Sequence, residues 1–117
     1  MSRFPLRRAE RALSREETLA ALDAAPFVTV ATVDDDGMPY AVPLSFVRTG
    51  DALYFHATNE GGHKAVDFAR DPRACATAVV DVAPFFEDGD FTTAYRSVMA
   101  FGRMRAVTDV SEFKHAL

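Results

Sequence analysis

Apolar positions along this chain first follow a helical spacing and then switch to runs of β-branched residues. Ser14 and Glu17 have the spacing of a capping box, with Glu16 and Glu17 where a helix dipole favours negative charge. Leu19, Ala20 and Leu22 supply a modest packing face, so a helix is predicted from about Arg15 to Ala25, ended by Pro26. The run FVTVATV (Phe27 to Val33) then reads as a strand, and DDDGM after it contains an Asp36-Gly37 pair that suits a hairpin. PYAVPLSFV (Pro39 to Val47) should pair antiparallel to it. A turn over Arg48 to Asp51 leads to ALYFHA (Ala52 to Ala57), which completes a three-stranded meander.

The segment NEGGHKAVDFARDP (Asn59 to Pro72) interrupts the β pattern with a glycine pair and a short helix-like stretch. ACATAVVDV (Ala74 to Val82) returns to strand character. Pro84 to Asp90 is acidic and turn-rich, with Phe85 and Phe86 embedded, and reads as a loop. A long strand from Thr93 to Thr108, bent near Gly102, and a helical stub from Ser111 to Leu117 close the chain. Five antiparallel strands with one inserted helix are too few for a two-sheet sandwich and predict a small, mainly β barrel with short helices. The pattern does not separate such a barrel from an OB-fold.

Length narrows the picture to one domain over residues 1–117, with 49% hydrophobic and 26% charged residues. A core this small gains from a cofactor or a second subunit. The net charge of -4 argues against general nucleic-acid binding. Arg3, Arg7, Arg11 and Arg15 recur every fourth residue and, with Arg8 beside them, read as a solvated helix face. Cys75 is the single cysteine, so no intrachain disulfide forms, and its apolar surroundings suggest ordinary packing. No run approaches the ~20 apolar residues of a membrane helix and no signal-like core is visible, so a cytoplasmic location is the default expectation.

Candidate chemistry is sparse. Pro39 and Pro43 in one predicted strand each remove a ladder donor, which points to a strand unpaired on one side. Its open backbone groups could bond the edge of a flat heteroaromatic ring, or the strand could simply be a proline-guarded edge. His56 falls on the face opposite Leu53 and Phe55, outward with Tyr54. Gly61, Gly62, His63 and Lys64 lie where a loop runs into a helix, a place that attracts anions, although an ordinary glycine-rich helix entry has the same look. Tyr95, Ser97 and Met99 share one strand face, Arg96 and Val98 the other. The histidines lack zinc-ligand spacing, and Asp34 to Asp36 lack the loop of a calcium site.

Taken in order, PYAVPLSF (Pro39 to Phe46), LYFHA (Leu53 to Ala57), EGGHK (Glu60 to Lys64) and YRSVMAFG (Tyr95 to Gly102) resemble the FMN-binding split-barrel proteins of the pyridoxamine 5'-phosphate oxidase-like family. The nitroimidazole-resistance branch is the nearest in look, and the opening RRAERALSREE is similar to its members too. The resemblance implies a split β-barrel that forms a homodimer with FMN at the interface. By the same resemblance Tyr40, Val42, Pro43 and Leu44 line the isoalloxazine, with His56 and Ala57 beside it and His56 as the reactive group. Lys64 matches a phosphate-side lysine, and Tyr95, Arg96 and Ser97 match the strand that approaches the site at the dimer interface. Family members continue past the last helix with barrel-closing sequence, so this single domain is expected to lack that C-terminal segment.

The function implied is an FMN-dependent oxidoreductase acting on nitroaromatic or other small electrophilic acceptors, with no nucleic-acid or membrane partner. Two alternatives stand beside it, a flavin-binding module without turnover and an OB-like interaction module without flavin.

Overall fold

A computed structural model describes residues 11–34, 36–55 and 71–105 of the chain. Helix α1 (Arg15–Ala24) begins as its sequence requires: the Ser14 hydroxyl accepts from the Glu17 amide at 3.0 Å, and the Glu17 carboxylate accepts from the Ser14 amide at 2.9 Å. This reciprocal pair satisfies two otherwise unbonded donors. The Ser14 bond holds the Glu17 carboxyl below its usual range.

Strands β1 (Val28–Val33) and β2 (Pro39–Leu44) form the expected hairpin, with Val28 opposite Leu44 and Val33 opposite Pro39. Its turn is organised by Asp34, whose carboxylate accepts from the amides of Asp36 at 3.0 Å and Met38 at 2.8 Å. Gly37, at φ 79°, supplies the left-handed conformation that the turn needs.

The predicted meander is broken after the second strand. β2 stops at Leu44, and β3 (Val47–Thr49) pairs instead with β4 (Ala52–Tyr54) in a separate two-stranded ribbon. The chain leaves the first sheet at Ser45 and Phe46, and Phe46, Leu53 and Phe55 pack against the core. Burial of these side chains outweighs continued pairing along β2. Arg48 fixes the ribbon to α1, its Nε 2.6 Å and its second terminal nitrogen 2.7 Å from the Asp23 carboxylate.

The larger correction concerns residues 84–90, expected as a loop. Strand β5 (Arg73–Glu87) runs straight through them and returns as β6 (Asp90–Arg103), with Phe86 opposite Phe91. The connection is Asp88-Gly89, at φ 53° and 81°, a two-residue hairpin turn with both centres left-handed. Strand order in the larger sheet is β2-β1-β5-β6, all antiparallel, so the described residues form six strands in two sheets where five were expected of the chain. Among the described residues the two sheets do not join into a continuous ring, and the architecture is a mainly β split barrel.

One face of the four-stranded sheet is the core face. Val28, Val30, Ala76, Ala78, Val80 and Val98 are buried there beneath Ala21, Leu22 and Ala25 of the helix region. Strand alternation sets this: even positions of β1, β5 (to Val80) and β6 point inward, and odd positions point out. No helix among the described residues is long and apolar enough to cross a membrane.

Candidate functional site

Among the described residues β2 is an edge strand, as its prolines suggested. Pro39, Ala41 and Pro43 share one register class and are exposed, whereas Tyr40, Val42 and Leu44 are half-buried on the inward face. Backbone groups of alternate residues in an antiparallel strand point to opposite sides, and a proline fits best where no partner needs an N–H. The open edge therefore presents the Ala41 amide and carbonyl together with the carbonyls of Pro39 and Pro43. Tyr40, Val42 and Leu44 direct their backbone groups towards β1 and their side chains inward, so the sequence-derived set splits into backbone and side-chain contributors.

Among the described residues β6 is the opposite edge of the same sheet. Tyr95 and Ser97 are exposed on its outer face together with Met99, while Arg96 and Val98 point to the core side, as alternation predicted. Three strand spacings of about 4.8 Å separate the β2 and β6 edges, about 14 Å in all. A single chain thus brings Tyr40, Val42, Pro43 and Leu44 together, and Tyr95, Arg96 and Ser97 together, but not the two groups with each other. His56, Ala57 and Lys64, and the glycine pair before Lys64, lie outside the described residues, as does the stub from Ser111 to Leu117.

Arg96 is already engaged. Its Nε lies 2.5 Å from the Asp81 carboxylate, which also accepts from a terminal nitrogen of the same guanidinium. Asp81 sits at φ 57° in a β-bulge, where β5 runs from Val80 opposite Arg96 to Ala83 opposite Ala94. Asp81 and Val82 together face Tyr95, one extra residue on β5. The insertion exchanges the faces of β5 beyond it, so Pro84 and Phe86 join the outer face of Val79 and Thr77. The sequence showed Tyr95, Ser97 and Met99 on one face, but not that Phe86 and Phe91 extend it. The outer face carries Val79, Phe86, Phe91, Tyr95 and Met99, each between 55% and 74% exposed. The Asp88-Gly89 pair between aromatic runs was the signal that could have revealed it.

These features suit a flat, partly apolar cofactor. The β2 margin offers one N–H and three carbonyls, Tyr95 and Ser97 are exposed, and the sheet presents apolar surface beside them. Cys75, half-buried on the same outer face, has its thiol pushed up by burial, which keeps it protonated and unreactive. Among the described residues no group of three or more histidine, cysteine, aspartate or glutamate side chains could hold a metal ion.

Comparison with known proteins agrees with the fold. The fold is shared with a candidate 5-nitroimidazole antibiotic resistance protein from Bacteroides thetaiotaomicron, at 24% identity and a TM-score of 0.81 over 90% of this chain and 63% of that one. An FAD- and heme-binding protein from Mycobacterium smegmatis matches at 28% identity and a TM-score of 0.76, over 89% of this chain and 51% of the other. A flavocytochrome from Azotobacter vinelandii matches at 25% identity and a TM-score of 0.71, over 89% and 50%. The chain thus spans between half and two thirds of the length of these structures. No curated protein matches it. The sequence profile of the family described as pyridoxamine 5'-phosphate oxidase covers residues 14–117, nearly the whole chain, and the chain belongs to that family.

Proposed function

We propose that the protein binds FMN as a homodimer and acts as an oxidoreductase towards small electrophilic acceptors such as nitroaromatic compounds. The observation that carries this reading is the division of the site residues between the two edges of one sheet. Backbone groups suited to a ring edge lie on β2 and the hydroxyl-bearing residues on β6, about 14 Å apart. A second copy related by a two-fold axis would bring the β6 edge of one subunit to the β2 edge of the other, twice. Structural relatives that bind flavin and heme support the redox class.

FMN, when bound, supplies the electron transfer. The chain's own residues do the rest. The Ala41 amide would donate to a ring acceptor, and a carbonyl of Pro39 or Pro43 would accept from the single N–H of the oxidised ring. By the family resemblance Lys64 would supply a positive charge for the phosphate, and His56 would serve the acceptor, since an imidazole near neutral pH can hand over a proton.

Titration of the purified chain with FMN and with riboflavin tests this. Lys64→Ala should weaken FMN by about 1–3 kcal/mol and leave riboflavin nearly unchanged, because the charge-assisted bond goes to the phosphate alone. Loss of both ligands to the same extent removes Lys64 from that role, and absence of FMN binding by the wild type overturns the function.

A further inference from the structure

Two aspartates of this chain precede a glycine, Asp36-Gly37 in the β1-β2 turn and Asp88-Gly89 at the tip of the β5-β6 hairpin. Such a pair can react with itself. The backbone nitrogen of the glycine attacks the aspartate Cγ, a C–N bond forms and water leaves, closing a five-membered succinimide. Water then reopens the ring at either carbonyl. The chain returns to aspartate or continues through the side chain as isoaspartate, with no change of mass or oxidation state. Glycine favours the step because it has no Cβ to crowd the attacking nitrogen. At both glycines a Cβ would meet nothing within 4 Å, so space does not separate the two pairs. Hydrogen bonding does.

In the β1-β2 turn the attacking nitrogen is tied down. Gly37 donates its N–H to the Asp34 carbonyl at 3.0 Å, and the Asp34 carboxylate accepts from the amides on either side, Asp36 at 3.0 Å and Met38 at 2.8 Å. The Asp34 amide donates in turn to the Met38 carbonyl at 3.0 Å. Attack by Gly37 breaks the first of these bonds and disturbs the rest. At the hairpin tip Glu87 and Asp90 are the last paired residues, and a two-residue turn leaves the amide of its second residue outside the ladder. Among the described residues the Gly89 amide has no acceptor and the Asp88 carboxylate no donor.

The closed tip is not itself reactive. Asp88 lies at φ 53°, in the left-handed region, where a ψ of about +47° sets Cβ anti to the glycine nitrogen and out of reach of ring closure. Reaction therefore runs through openings of the tip. These cost little, because every residue from Asp81 to Phe91 is exposed and the buried core ends at Val80 and Val98. Opening also relieves the left-handed conformation of a residue other than glycine. Apart from the ladder, the brace nearest the turn is the edge-to-face contact of Phe86 with Phe91, ring centroids 5.1 Å apart.

We propose that Asp88-Gly89 is a site of spontaneous isoaspartate formation, and that the same dipeptide at Asp36-Gly37 is protected by Asp34. The product carries one more backbone carbon in a two-residue turn and a free α-carboxylate at the tip. Pairing of Glu87 with Asp90 is lost first, then that of Phe86 with Phe91. Neither flavin nor a second copy enters the proposal.

Ageing the 117-residue chain at neutral pH and physiological temperature, followed by trypsin digestion, tests it, because the two pairs fall in different peptides, 16–48 and 74–96. Isoaspartate is read by isoaspartyl methyltransferase, which esterifies the freed α-carboxylate from labelled S-adenosylmethionine, and is placed by fragmentation of each peptide. In the folded chain Asp88 should convert about fivefold or more faster than Asp36, the effect of one net hydrogen bond in the Asp34 turn. In urea the two rates should converge. Asp34→Ala should raise conversion at Asp36, Phe91→Ala should raise it at Asp88, and Asp88→Glu, whose ring would be six-membered, should silence the tip. Equal rates in the folded chain, faster conversion at Asp36, or none at either overturns the proposal, and Asp34→Ala without effect on Asp36 overturns the protection.

Discussion

At Asp71 one carboxylate collects three donors from a single neighbour: the Arg73 amide at 3.1 Å, its Nε at 2.9 Å and a terminal guanidinium nitrogen at 2.6 Å. These bonds lower its pKa from 3.8 to about 2. Because the folded value is depressed, the pair's contribution is complete above the ordinary value of 3.8 and fades as pH falls through about 2. Wild type and Asp71→Asn should therefore differ most in melting temperature near pH 6 and converge as pH approaches 2. A gap that stays constant from pH 6 to pH 2 would show that the carboxylate is not responsible. The capping box is the same kind of local device, and it was legible in the sequence because its two partners are three residues apart. Asp71 was not, since nothing in the string DPR says that one side chain will gather all three donors.

Local signals decided how well whole elements could be read. The β1-β2 hairpin follows from Asp34, Gly37 and alternating apolar residues, all within one short stretch. The break after β2 depends on Phe46, Leu53 and Phe55 finding the core, which no local pattern encodes. The far end of the β5-β6 hairpin, residues 84–90, was read as a loop because Pro84 and three acidic residues dilute its strand character, although an Asp-Gly turn stood between its aromatic runs. Its bulge gives a direct check on element geometry. Asp81→Val should cost about 1–2 kcal/mol in urea unfolding, since a β-branched residue resists the left-handed conformation. Asp81→Gly relieves the backbone while losing the Arg96 bond and should cost clearly less. Equal losses would mean that the ion pair, and not the backbone, holds the bulge.

Across the molecule the candidate site was only half legible. Residue types and their order pointed to β2 and β6, but which strands become edges is settled by the whole sheet, and only then does the 14 Å gap between them emerge. If FMN bridges two copies, its binding free energy adds to stability by mass action. Free FMN at about 100 times its dissociation constant should raise the unfolding free energy by about 2.7 kcal/mol, seen as a higher melting temperature in calorimetry. No rise with FMN, against a control without it, would contradict a folded-state site.

The two prolines of β2 carry one more consequence, for what happens when many copies crowd together. A sheet can lengthen indefinitely only if each added unit offers a fresh edge able to accept the next. Here β6 has such an edge among the described residues, but the opposite margin is β2, with Pro39 and Pro43. A β6 edge cannot extend its ladder onto β2, because Pro39 and Pro43 remove the donors at two of the three outward positions of that margin. The prolines therefore guard the sheet against fibrous polymerisation, while the β2 margin keeps carbonyls for a ligand.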